Sequence, residues 1–213
     1  MDNIALQMIA VAVLLNLENI QAFQFLFSRP SFAGFLLGVP ALLAYQGAPA
    51  AQAFAMDSFT AGAALELLIL DFNPVGGIII PNGVVGAAVS SLMLASGHSM
   101  GMAFFAGFPA AFLYSKLDFY LRAARNSWNP KIEAELAEGR ANPGKWISFS
   151  LALEAAVSAL FLAAAFYAFG FVLNLAGRSD YVASSMNTAF YGAVFAGLAA
   201  LFFRLKHQVG KNE

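Results

Sequence analysis

The chain has 213 residues, of which 60% are hydrophobic and 11% charged, with a formal net charge of −1 and no cysteine. Its mean hydropathy of +0.71 is far from that of a soluble domain, in which about 25% of residues are charged. This balance argues against a nucleic-acid partner, and the missing thiols exclude disulfides, thiolate chemistry and cysteine-ligated metals.

The composition implies an integral membrane protein. Ala, Gly, Leu and Phe run together without the alternation of a membrane barrel, so the expected class is all-α: a polytopic helical membrane protein with broken or re-entrant helices around a central polar site. The N-terminus, Met1-Asp2-Asn3, carries no basic region, and its apolar run is interrupted at Asn16, Glu18 and Asn19, so a cleavable signal peptide is not expected. The first segment spans about Ile4 to Phe27. Asn16, Asn19 and Ile20 follow helical spacing, as do Gln21 and Gln24, which predicts a polar, buried helical face.

Residues 31–46 are too short for a crossing of about 20 residues and contain Pro40, so they read as a re-entrant or interfacial piece. Residues 47–57, GAPAAQAFAMD, read as a small-residue connection. The stretch 60–101 is the centre of the chain. Ala61 to Leu70 and Val84 to Ser96 read as two half-helices meeting at a break from Asn73 to Gly83, which is tolerable at membrane depth only where protein or a cavity satisfies the freed backbone. Residues 102–115 are expected to join the preceding segment across Gly97 and Gly101. Residues 116–145 read as one polar loop with a solvated face. Within it, Asn129 as N-cap, Pro130 at the first helical position and Gly139 at the end predict a short surface helix.

Two full spans follow, Trp146 to Leu175 and Tyr181 to Phe203. Six basic residues in the loop and three in the tail then share one side, which the positive-inside rule assigns to the cytoplasm. The chain is expected to be a single permease domain, 1–213, with a cytoplasmic loop at 116–145 and a cytoplasmic tail at 204–213.

The acids carry the functional argument. A carboxylate costs about 2.5–3.5 kcal/mol at the bilayer centre on insertion scales, so Glu66, Asp71 and Glu154 must face protein, water or ligand. Glu66 with Asn73 and Asn82 offers the acceptors and donors that sugar hydroxyls require, and Phe72 an aromatic face for a pyranose. Glu154 is expected either to line the same cavity or to reach water near the cytoplasmic end. GHSMG at 97–101 fits the G-x-S-x-G pattern, but an apolar helical segment precedes it where a hydrolase needs a strand. No catalytic residue, cofactor or metal site is expected.

FQF and RP within 23–30, ALE at 64–66, IIIPN at 78–82 and GH at 97–98 resemble the membrane IIC component of the mannose/sorbose/N-acetylgalactosamine family of the bacterial phosphoenolpyruvate-dependent sugar phosphotransferase system. The resemblance implies a multi-pass permease of the bacterial inner membrane that binds a hexose or amino sugar at mid-membrane. It implies an oligomeric assembly in the lipid bilayer with a IID membrane subunit, and cytoplasmic IIA and IIB proteins that deliver phosphate, so no phosphohistidine is expected here. Its sugar-site positions fall on Gln24 and Glu66, with Asn82 where the family usually has an aspartate; Asp71, Phe72, Asn73 and His98 complete the candidate set. The stretch from Arg29-Pro30 to Glu66 is longer than the family's, and the chain ends before a last hydrophobic hairpin. Two other readings stay open on the residues: the substrate-binding component of a vitamin-type importer, and a non-transporting structural subunit.

Overall fold

A computed structural model describes residues 3–21, 29–69, 80–140 and 142–209. Among these residues the fold is eight helices: α1 (Asn3–Gln21), α2 (Pro30–Ala44), α3 (Pro49–Ile69), α4 (Gly83–Ala95), α5 (Met100–Asn126), α6 (Asn129–Ala137), α7 (Pro143–Ala176) and α8 (Asp180–Val209). α4 is the axis of the bundle. Every residue from Gly83 to Met93 is buried, as expected of a helix that is apolar or small on all sides.

Small residues set how closely its neighbours approach. A Cβ on Gly34 would meet the Ser58 carbonyl, one on Gly38 would meet Ala55, and one on Gly62 would meet the Pro30 carbonyl. The residues at 34 and 38, and at 58 and 62, are each four apart, so two small-residue stripes let α2 and α3 pack as a tight antiparallel hairpin. Gly86 and Ser90 of α4 meet Gly107 and Ala111 of α5 in the same way.

The structure corrects four expectations. Residues 47–57 are not a connection: from Pro49 onward they are the first half of α3, because alanine favours helix and α2 supplies a surface close enough for small side chains to bury. Ala61 to Leu70 is therefore no half-helix but the end of a 21-residue one. Residues 102–115 do not join the preceding segment, since Gly97 at φ +84° closes a turn and α5 begins afresh. The region 116–145 is not all loop, because α5 continues through Pro109 to Asn126.

α6 and its end at Gly139 match the sequence reading, although its N-cap is Trp128 rather than Asn129. α7 and α8 are the two helices long and apolar enough to cross a membrane among the described residues, with mean hydropathies of 2.2 and 1.6. Only 22% and 11% of their apolar windows are buried, so they are not the core helices of a soluble protein.

Candidate functional site

Glu66 lies near the end of α3, one turn from the segment that leads to α4. Its Oε2 accepts hydrogen bonds from the Ser31 hydroxyl at 2.6 Å and the Ser31 amide at 3.3 Å. Arg29 stands 3.6 Å from Oε1. The side chain is 21% exposed, so one oxygen, paired among the described residues only with a half-exposed guanidinium, remains open to a further donor. Pro30 sits between these two partners. A Cβ on Gly83 would meet the Pro30 ring, so the Glu66 shell abuts the first residue of α4.

Asn82 caps α4: its Oδ1 accepts from the Val85 amide at 3.1 Å. Its own backbone N–H donates to the Ala111 carbonyl of α5 at 3.1 Å. Its Nδ2 donates to Asn16 Oδ1 at 2.7 Å. Asn16, fully buried, then donates to the Tyr114 hydroxyl at 2.9 Å and to Ser158 at 2.8 Å. Tyr114 donates to Glu154 at 2.6 Å, and Glu154 is bridged to Arg125 at 2.9 Å. Arg125 also lies 3.5 Å from Asp118, which pairs with Arg122 at 2.8 Å.

The predicted site residues therefore separate. Glu66 is held by the neighbours of Pro30, and Gly83, next to Asn82, packs on the Pro30 ring. Gln24, Asp71, Phe72 and Asn73 lie outside the described residues. His98 is at the other end of α4, about 20 Å away at 1.5 Å per residue, where it lines a cleft with Tyr167, Gly170 and Asn174. It does not join Glu66 and Asn82, because the straight helix between them holds the two ends apart. Burial holds its imidazole below the usual histidine value.

Glu154 neither lines the Glu66 region nor reaches water: its side chain is fully buried and spent on Tyr114 and Arg125. The solvated reading of 116–145 fails at Asp118 and Arg125, which turn inward at 12% and 15% exposure. Sequence reasoning missed Ser31, Tyr114 and Ser158. Serine and tyrosine are common in apolar helices, and only their partners distinguish these three; Arg29, by contrast, stood in a quoted motif.

An apolar cleft of about 540 Å³ opens between the α2–α3 turn and the end of α4, lined by Ile4, Tyr45, Phe54 and Leu94. It carries no ionisable side chain except the Tyr45 phenol and is remote from Glu66.

These features define a helical membrane protein whose polar side chains converge inside the bundle where α4 begins. Residues 4–200 match the family described as the PTS system sorbose-specific IIC component, and the chain belongs to that family. It is thus a membrane transport subunit of a sugar phosphotransferase system, which has a sugar substrate and phosphotransferase partner components; this displaces the importer reading. A solved structure titled "Structure of membrane protein" has a TM-score of 0.70 at 20% identity, over 96% of this chain and 80% of that chain. At that identity the likeness shows the fold alone. No curated protein matches.

Proposed function

We propose that the chain is the sugar-translocating IIC subunit, binding a hexose or amino sugar beside Glu66 within the membrane for uptake coupled to phosphorylation by a separate IIB protein. The observation that carries this reading is the contrast between the two acids inside the bundle. Glu154 has both oxygens consumed by internal partners, whereas Glu66 keeps partial exposure and an oxygen that, among the described residues, is held only by Arg29 at 3.6 Å. A carboxylate so placed accepts hydroxyl donors from a sugar. In this reading Gln24, Asp71, Phe72 and Asn73 are further candidate ligands for the ring, Asn82, whose amide is spent on Asn16 and Val85, frames the site, and His98 is outside it. The exposed apolar faces of α7 and α8 seat lipid and a IID subunit in an oligomer of the bacterial inner membrane. The face bearing 116–145 is cytoplasmic and receives the IIA and IIB proteins.

The test is thermal unfolding in detergent with a panel of hexoses and hexosamines, with and without IID. A sugar at a hundred times its dissociation constant should add about 2.7 kcal/mol of stability. Glu66→Gln should abolish the shift while the protein still inserts and unfolds cooperatively, because a hydrogen bond to a charged group is worth about 1.5–3 kcal/mol, at least tenfold in affinity. An unchanged shift in that variant removes Glu66 from the site.

A further inference from the structure

The sugar site makes no use of Glu154, yet Glu154 anchors the longest buried polar chain among the described residues. Its Oε1 accepts from Tyr114 and its Oε2 from Arg125. Arg125 has donors and no acceptor, so Glu154 Oε2 accepts from it, and Oε1 takes the Tyr114 hydroxyl proton. Those two donors dictate where each hydrogen goes. Tyr114 has one hydroxyl proton and gives it to Glu154, so across its 2.6 Å contact with Ser158 it accepts. Ser158 donates there and accepts from Asn16, whose amide nitrogen also reaches Tyr114. Both Asn16 donors are then used. Its Oδ1 can only accept, and it does so from Asn82, whose own oxygen is left for the Val85 amide. Between Asn82 and Glu154 every donor points one way, from the start of α4 towards the carboxylate.

We infer that Arg125, Glu154, Tyr114 and Asn16 form a directional positioning relay that holds the N-terminus of α4, and with it the rim of the sugar site, in register with the α5–α7 face. The link to the site is the contact of Gly83 with Pro30, whose neighbours Arg29 and Ser31 hold Glu66. This inference rests on the Glu66 reading above. None of the four is a catalytic residue.

Direction makes the relay testable by rescue. In Glu154→Gln the new amide cannot face Arg125 with its N–H groups, so it donates to Tyr114 and sends the tyrosine proton back towards Ser158 and Asn16, against the donors those two present in the native chain. In Asn82→Asp both oxygens accept, so Asn16 must turn its amide nitrogen to Asp and present its oxygen to Tyr114 and Ser158. Each change alone opposes the native direction, and together they reverse it throughout. Residues in one hydrogen-bond network couple, whereas distant independent sites add.

Sugar affinity in the assembled complex should fall about tenfold in E154Q and in N82D, and recover to within about threefold of the parent in the double variant. A double variant as weak as the product of the singles, or an E154Q protein of unchanged affinity, overturns the relay. Should E154Q fail to insert, Tyr114→Phe keeps the ion pair and removes only the bridging hydroxyl; it should lose affinity about as much, and unaltered affinity overturns the inference. Rescue alongside an indifferent Glu66→Gln would keep the relay and refute the sugar site. If no sugar binds, the same cycle read on unfolding temperature decides, with additivity again overturning the relay.

Discussion

Glu66 and Glu154 are the same side chain in two apolar helices, and their neighbours give them different chemistry. Glu154 is closed by a tyrosine and an arginine, so changing it reorganises a network. Glu66 has a serine and a loosely placed arginine, so it can answer to a ligand. His98 is the counter-example to choosing residues by type alone. Because it sits beyond the far end of α4, His98→Ala should leave sugar affinity unchanged within about twofold, measured by titration of the same thermal shift.

At the polar face, Glu135 accepts from the Trp146 indole at 2.8 Å with Lys145 3.3 Å away. The Trp146 hydrogen bond holds its carboxyl below the ordinary carboxylate range. A lowered value means that the contact is complete near neutral pH and is lost as pH falls through the lowered value. Tryptophan fluorescence should therefore stay flat from pH 7 to about pH 5 and change only in stronger acid, and Glu135→Gln should remove that acid transition.

At the scale of elements, the α2–α3 hairpin shows how glycine decides packing. Gly62→Ala drives a methyl group into the Pro30 carbonyl, which is backbone and cannot rotate away, so the variant should lose about 1–3 kcal/mol of stability. It should also weaken sugar binding, since Pro30 lies between Arg29 and Ser31. Gly97 provides the comparison: nothing lies within 4 Å of its would-be Cβ, so Gly97→Ala should cost only the left-handed backbone penalty of about 1–2 kcal/mol and leave binding intact. Unfolding midpoints in detergent check both. The helical character of 49–57 was hard to see in the sequence because alanine-rich stretches carry little amphipathic pattern; burial of Ala55 against Gly38 gives that stretch its partner.

At the scale of the whole molecule, the little-buried surfaces of α7 and α8, with Leu160, Phe171, Phe195 and Phe202 all more than 60% exposed, require lipid or a partner subunit. The natural absence of cysteine allows the topology to be read directly. Ser127→Cys, beside the polar loop, should react with an impermeant maleimide only in inverted vesicles, and Ser179→Cys only from outside intact cells. The opposite pattern would invert the proposed orientation and place the 116–145 face away from cytoplasmic phosphocarriers.

Composition alone determined the helical membrane class, because 60% hydrophobic residues with 11% charge leave no soluble alternative. Charge in an apolar helix was enough to single out Glu66 and Glu154, since desolvation must be answered by something. Spacing exposed the buried face at Asn16, and the short motifs pointed to the family. What tertiary structure alone decided was the division of labour among those polar groups. Hydrogen bonds 29 to 142 residues apart in the chain leave no local pattern, so neither the chain from Asn82 to Arg125 nor the separation of His98 from Glu66 was written in any stretch of sequence; both follow from which helix faces the close packing of glycine, serine and alanine brings together.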